Sequence, residues 1–117
     1  MRILVADDNK FVRRGICGLL AELEGCEVCG EASDSAETIQ EAIELRPDVI
    51  LLDVSMPGQN GLETAAVLRQ KIPAVKILII TQHDPKQILP SCLEVGANGC
   101  VDKARLSCDL LPAIRGV

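Results

Sequence analysis

The segment Asp48-Val49-Ile50-Leu51-Leu52-Asp53 places four consecutive aliphatic residues between two aspartates. Uninterrupted apolar runs of this length are typical of strands that are buried on both faces of a parallel sheet. A second run of this kind, Val-Lys-Ile-Leu-Ile-Ile, occupies residues 75–80. The sequence therefore predicts a parallel sheet with these two strands at its centre.

Shorter strands and helices alternate around these two runs. Strands are predicted at residues 2–6, 27–31, 48–53, 75–80 and 99–101. Helices are predicted at residues 11–23, 61–72 and 85–95, from Asp34 or Ser35 up to Pro47, and along Leu106, Leu110, Leu111 and Ile114. Five strands alternating with five helices predict an open, mostly parallel α/β sheet with helices on both faces.

Two of the helices carry specific expectations. The second helix should bury three aliphatic residues and expose three glutamates, namely Ala36, Ile39 and Ile43, and Glu37, Glu41 and Glu44. Pro90 lies inside the fourth helix, where it removes an amide donor and clashes with the preceding turn. We therefore expect that helix to be kinked or to start late.

Composition limits the class of function. The 117 residues suffice for one domain, and Phe11 is the only aromatic residue, so the core must be aliphatic. A net charge of −5 opposes direct binding to a nucleic-acid backbone. No apolar run reaches the roughly 18 residues of a membrane span, and Asp7 and Asp8 interrupt a signal-peptide core. A cytoplasmic location without membrane contact is the resulting expectation.

The six cysteines include a C-x-x-C pair at Cys26 and Cys29. A zinc site would need further ligands, but the chain has no second pair of this kind and a single histidine, His83. Residues three apart on a strand also face opposite sides of the sheet. We interpret most of the cysteines as small core residues: Cys17, Cys26, Cys29, Cys92, Cys100 and Cys108.

Polar residues lie where the predicted strands end. Asp7 and Asp8 follow the first strand, Asp53 ends the third, Thr81 follows the fourth and Lys103 follows the fifth. Carboxyl ends of parallel strands meet at one edge of a sheet, which is where such folds bind ligands. Acidic residues after single strands can simply cap helices, but the whole set favours a site. Three carboxylates repel one another, and bound Mg²⁺ would relieve that repulsion.

In this order and spacing, the chain resembles the receiver domains of two-component response regulators, which have the CheY-like, flavodoxin-like fold. The resemblance covers essentially all 117 residues and rests on residues 3–8, 48–58, Gly61, Thr81 and residues 96–103. It implies a doubly wound, five-stranded parallel sheet of order 2-1-3-4-5. The expected domain is a receiver spanning residues 1–117.

The resemblance also implies roles for individual residues. Asp53 would be the phosphoacceptor, and Mg²⁺ or Mn²⁺ would be held by Asp8, by Asp7 through water, by Asp53 and by the backbone carbonyl of Ser55. Thr81 and Lys103 would contact the phosphoryl group. The donor would be a sensor histidine kinase, and the domain would act as an enzyme only in promoting phosphorylation and hydrolysis at its own aspartate.

One position departs from the pattern, and another is a candidate for tuning it. Many receivers have an aromatic switch residue three positions before the lysine, where this chain has Cys100, so Thr81 cannot be coupled to a ring flip. His83 lies two residues after Thr81 and is expected to be a solvated loop residue. As a hypothesis, His83 and Ser55 adjust how fast water attacks the phosphoaspartate.

The last residues, 110–117, resemble the NarL/LuxR-type subgroup, whose members usually continue into a helix-turn-helix domain that binds DNA. We therefore expect a receiver from a longer transcriptional regulator, able to form a homodimer, that contacts DNA only through that separate domain. A free-standing receiver is the other possibility. An interaction module that works without phosphorylation is the rival function, and a metal-assisted phosphatase is a more distant one.

Overall fold

The computed structural model describes residues 1–58 and 60–117, which form a parallel sheet of five strands in the order β2-β1-β3-β4-β5. The strands are β1 (Arg2–Ala6), β2 (Glu27–Ala32), β3 (Val49–Asp53), β4 (Lys76–Thr81) and β5 (Gly99–Asp102). The helices are α1 (Lys10–Leu20), α2 (Ser35–Leu45), α3 (Gly61–Lys71), α4 (Pro85–Glu94) and α5 (Leu106–Arg115), with a 3₁₀ turn at Lys103–Arg105. The expected fold class and strand order are confirmed.

Successive side chains of a strand point to opposite faces of the sheet. The strands therefore contribute to two apolar clusters, and different helices cover each of them. One apolar cluster joins alternate residues of the central strands to α1 and α5: Ile3, Val5, Val49, Leu51, Leu78, Ile80, Ile16, Leu20, Leu110 and Ile114. The intervening residues join the cluster beneath α2, α3 and α4, which includes Leu4, Ile50, Leu52, Ile77, Ile79, Ala42, Leu68 and Cys92. Strand β3 is buried along its whole length, as its sequence predicts.

Helix α1 ends at Leu20, three residues before the predicted end. The amides of Glu22 and Leu23 donate to carbonyls three residues back, not four as in an α-helix. The chain therefore forms a tight turn here and the α-helix does not continue. Gly25 completes the turn with φ of +83°, a backbone conformation that suits glycine. The predicted stripe still holds at Leu23, which packs against the cluster beneath α1 and α5.

The inward face of α2 was predicted wrongly. Its buried residues are Ser35, Thr38 and Ala42, whereas Ala36 is exposed and Ile43 is 40% exposed. Small side chains let α2 approach the sheet closely, and the Thr38 hydroxyl donates to the Asp34 carbonyl at 2.7 Å, so its burial leaves no unpaired group. Of the three predicted apolar contacts, the one from Ile39 is made, by a half-buried side chain.

Glu41 also departs from the expectation that the α2 glutamates face water. Its Oε2 atom is buried and has no hydrogen-bond partner within residues 1–58 and 60–117. Burial, followed by the charges of Glu37, Glu44 and Glu31, raises the pKa of the Glu41 carboxyl. Helix α2 is otherwise amphipathic, but it carries one partly desolvated carboxyl, that of Glu41.

Helix α4 runs without interruption from Pro85 to Glu94, so the late start predicted from Pro90 is wrong. Pro85 occupies the first turn, where its missing N–H costs nothing, and the Asp84 side chain accepts from the Lys86 amide at 3.0 Å. These two features start the helix in spite of Pro90, which still removes one donor. A kink at Pro90 stays a prediction.

All six cysteines are free thiols. Cys92 is fully buried, and Cys17, Cys26, Cys29 and Cys100 are partly buried, which agrees with their interpretation as packing residues. That interpretation is wrong for Cys108, which is exposed on α5. The part of the chain that the structure describes has no helix long and apolar enough to cross a membrane.

Arg69 ties three segments together at the amino edge of the sheet. Its guanidinium donates to the carbonyls of Gly96, Pro73 and Val75, at distances between 2.6 and 3.0 Å, and to Asn98 Oδ1 at 3.0 Å. These acceptors lie between α3 and β4 and between α4 and β5. One side chain on α3 therefore fixes both loops, and charge-assisted bonds of this kind are the stronger ones.

Replacing Arg69 with methionine keeps the apolar stem and removes the donors. We expect Arg69→Met to lower the free energy of unfolding by about 2 kcal/mol, measured by urea denaturation, because several carbonyls lose a charged partner. Arg105→Met is the control, since the pair of Arg105 with Asp109 is exposed and should contribute far less. Equal losses in the two variants would contradict the role of Arg69.

Candidate functional site at the carboxyl edge of the sheet

The strand order brings the predicted site residues together. Asp7 directly follows β1, Asp53 ends the neighbouring β3, and Thr81 ends β4 on the other side of β3. These three side chains are fully buried, whereas Asp8 is exposed. Lys103 enters from the turn that follows β5. The structure thus places four strand ends around Asp53.

Three carboxylates form the acidic part of the site. One oxygen from each of Asp7, Asp8 and Asp53 lies within 4.8 Å of the others. Burial raises the pKa of the Asp7 carboxyl and outweighs the backbone hydrogen bond from Asn9, which acts in the opposite direction at 2.8 Å. The neighbouring Asp53 charge raises the same pKa further. Desolvation and charge repulsion therefore both disfavour the ionised form of the Asp7 carboxyl.

Lys103 supplies the positive charge. Its Nζ atom lies 3.0 Å from Asp53 Oδ2 and 3.0 Å from Asp7 Oδ2. Burial alone would lower the pKa of Lys103, but the contacts with these two carboxylates outweigh it and raise the pKa. The ammonium is therefore charged at neutral pH and offsets part of the acidic cluster.

The compensation is incomplete. Lys103 donates a hydrogen bond to Asp53, whereas its contact with Asp7 Oδ2 is an ion pair without hydrogen-bond geometry, so among the residues that the structure describes this buried oxygen accepts no hydrogen bond. Three carboxylates against one ammonium leave negative charge, and the free oxygens are hard ligands. The arrangement fits a divalent cation of the Mg²⁺ type.

Ser55 holds the other oxygen of Asp53. Its amide donates to Asp53 Oδ1 at 3.0 Å and its hydroxyl donates to the same atom at 2.8 Å. Sequence reasoning named Ser55 for its backbone carbonyl and for tuning, but it did not foresee this hydroxyl contact. No local pattern distinguishes a serine that turns back to an aspartate from one that faces solvent.

Thr81 is buried at the end of β4, and its hydroxyl oxygen accepts from the His83 amide at 3.0 Å. His83 itself is exposed, as expected for a loop residue. Cys100 is partly buried in β5, and its Sγ lies 3.4 Å from the Pro85 carbonyl oxygen. Cys100 therefore contacts the start of α4 and lies outside the group of residues around Asp53.

Two further residues shape the site without having been predicted. Asn9 donates its amide to Asp7 Oδ1, and its side chain caps α1. Arg13 donates to the backbone carbonyl of Asp7 at 2.7 Å and pairs with Glu31 at 3.0 Å. An asparagine before a helix is a recognisable capping signal, but nothing in the sequence marks Arg13.

The site opens to solvent through a polar cavity of about 540 Å³, whose lining includes Asp8, Lys10, Phe11, Ser55 and Lys103. Lys10 adds a positive side chain at the rim. A small anionic group that enters this cavity meets Ser55 and Lys103, both of which hydrogen-bond to the buried Asp53.

Comparisons with known proteins agree with this geometry. The model of the response regulator receiver domain family matches residues 3–115. The response regulator GacA of Pseudomonas viridiflava is 37% identical over 115 residues, which cover 98% of this chain and 54% of that protein. The oxygen regulatory protein NreC of Staphylococcus epidermidis is 39% identical over 118 residues, covering 100% of this chain and 54% of that protein.

A solved structure shows the same architecture. The crystal structure of a LuxR-family two-component response regulator from Aurantimonas sp. SI85-9A1 superposes with a TM-score of 0.92 at 34% identity, covering 98% of this chain and 82% of that one. The chain spans about half the length of the curated relatives that it matches. The resemblance inferred from the sequence is confirmed: this chain belongs to the family of response regulator receiver domains, the signalling domains of two-component systems.

Proposed function

We propose that Asp53 accepts a phosphoryl group and that the resulting charge switches the outer surface of the domain. The observation that carries the proposal is the position of the Asp53 carboxylate. It is buried at the end of β3, with the Lys103 ammonium 3.0 Å from one oxygen and two more carboxylates around it. Phosphoryl transfer requires positioning and charge compensation of this kind more than covalent assistance.

The residues of the chain divide the chemistry among them. An oxygen of Asp53 attacks phosphorus, the bond to the donor atom breaks, and an acyl phosphate forms on the side chain. Lys103 offsets charge on the transferring oxygens. The Thr81 hydroxyl already accepts from the His83 amide, so its own proton is available to donate to a phosphoryl oxygen.

Asp7, Asp8, Asp53 and the backbone carbonyl of Ser55 would hold Mg²⁺ or Mn²⁺. The three converging carboxylates support this assignment, as does the buried Oδ2 of Asp7, which pairs with the Lys103 charge but accepts no hydrogen bond from the described residues. When bound, the ion supplies positive charge that neutralises the carboxylates and the incoming phosphoryl oxygens.

The wider function follows from the family and is proposed on that basis. The donor would be a sensor histidine kinase, and the domain would promote only its own phosphorylation and dephosphorylation. Because its relatives include regulators about twice its length, we propose that this receiver serves a cytoplasmic transcriptional regulator. DNA would then be bound by a separate domain, and the receiver would be able to form a homodimer.

Asp53→Asn tests the proposal. With Mg²⁺ and acetyl phosphate, we expect the wild-type domain to gain the mass of one phosphoryl group by intact-protein mass spectrometry, and we expect Asp53→Asn to gain none. Asp109→Asn, which alters an acid on α5, should be phosphorylated like the wild type. A folded wild-type domain that gains no mass would favour a docking module that works without phosphate.

Ser55→Ala tests whether the hydroxyl tunes hydrolysis. Its bond to Asp53 Oδ1 would stabilise the carboxylate that leaves when water attacks phosphorus, so we expect its loss to slow dephosphorylation about fivefold. Ser107→Ala, on the surface of α5, should leave the rate unchanged, and an unchanged rate in Ser55→Ala would refute the role.

We also expect His83→Ala to change the rate of dephosphorylation, because the imidazole lies two residues from Thr81. A rate equal to that of the wild type would remove His83 from the proposal.

A further inference from the structure

The Thr81 side chain is coupled to the turn that precedes α4. Its hydroxyl oxygen accepts from the His83 amide at 3.0 Å. If the hydroxyl rotates toward a phosphoryl group, it either loses this bond or draws the His83 peptide with it. A change in the position of the buried Thr81 hydroxyl would therefore affect the exposed turn that precedes α4.

The turn is tightly joined to α4. One residue, Asp84, separates His83 from Pro85, the first residue of the helix, and the Asp84 side chain caps the helix at the Lys86 amide. Proline fixes its own φ, so a displacement of the His83 peptide cannot be absorbed by rotation about that bond. The fixed φ of Pro85 and the Asp84 cap both restrain this link, so part of a movement of the turn would reach the first turn of α4.

Cys100, on β5, contacts Pro85 in the same first turn of α4. It pairs with Ile79 in the register of β4 and β5, two residues before the pair of Thr81 with Asp102. Its Sγ lies 3.4 Å from the Pro85 carbonyl oxygen, within the range for a sulfur donor. Burial raises the pKa of the Cys100 thiol, so it keeps its proton at neutral pH and can donate it.

A second contact joins Cys100 to the last turn of α4. Cys100 packs against the apolar cluster that contains Cys92, the buried residue of α4. Burial, followed by the neighbouring Cys100 thiol, raises the pKa of Cys92 to about 11, so both groups are neutral thiols at neutral pH. Cys100 therefore joins β5 both to the first turn of α4 and to the core beneath its last turn.

We infer that Cys100 is a positioning residue, which ties β5 to the Pro85 carbonyl and so makes α4 respond to Thr81 without an aromatic ring. The inference rests on the proposed phosphorylation of Asp53. Movement of α4 has a consequence at the surface, because Leu89 and Leu93 are exposed by 36% and 53% one helical turn apart. Their displacement would reposition an apolar surface that a partner can recognise.

Three variants separate the thiol bond from simple packing. Cys100→Val removes the donor and keeps a compact apolar side chain that is slightly larger than cysteine, whereas Cys100→Ser keeps a donor. Cys108→Ala alters an exposed cysteine of α5 and serves as the control. The probe is beryllofluoride with Mg²⁺, and the readout is the amide chemical-shift change by NMR at Thr81 and His83 and, separately, along residues 88–94.

In the wild type and in Cys108→Ala, we expect both regions to shift. In Cys100→Val, we expect Thr81 and His83 to shift as before while the changes along residues 88–94 fall about twofold or more, as the loss of a weak bond predicts. Cys100→Ser should recover them. Equal α4 responses in wild type and Cys100→Val, or a loss that Cys100→Ser does not recover, would overturn the inference and leave the proposed function intact. No response at Thr81 in the wild type would overturn both.

Discussion

The ion pairs of Lys103 with Asp7 and Asp53 are the constraint on which the rest of the structure depends. Two carboxylates with no exposed surface cannot remain charged inside a protein unless a partner compensates them. The partner comes from the turn after the last strand, and the two acids come from the first and third. The parallel sheet makes this compensation possible, because it places the carboxyl ends of all three strands at one edge.

The incomplete compensation explains how the site can act. One ammonium cannot satisfy three carboxylates, so the cluster favours a divalent cation, whose added positive charge would also offset the negative oxygens of an incoming phosphoryl group. Strong electrostatic contacts hold Asp53, whereas the route from Thr81 to α4 consists of single, weaker contacts. Because only weak bonds link the rigid site around Asp53 to α4, the surface at α4 can change its conformation while the site stays folded. A two-state switch requires this separation.

Particular residues show how far the sequence could predict this structure. Strands β3 and β4 were predicted within one residue, because full burial leaves an unbroken apolar run. The convergence of the strand-end aspartates and Lys103 was foreseen, because polar groups at the carboxyl ends of parallel strands share an edge. The buried face of α2 was not foreseen, since Thr38 and Ala42 face inward through close packing that hydrophobicity does not reveal. The contacts of Arg69 with Gly96 and of Cys100 with Pro85 depend on tertiary distances, which no local pattern encodes, and the local contact of Ser55 with Asp53 depends on a side-chain rotamer.

The stability of Lys103→Met with and without Mg²⁺ tests the central claim most directly. If Lys103 neutralises the buried acids, the variant in EDTA should unfold more easily than the wild type, by about 3 kcal/mol, since it leaves buried charge unpaired. Mg²⁺ should then stabilise the variant more than it stabilises the wild type, because the ion takes over part of the neutralisation. Lys71→Met, at an exposed position on α3, is the control. A Lys103→Met domain as stable as the wild type in EDTA, with the same response to Mg²⁺, would contradict the account.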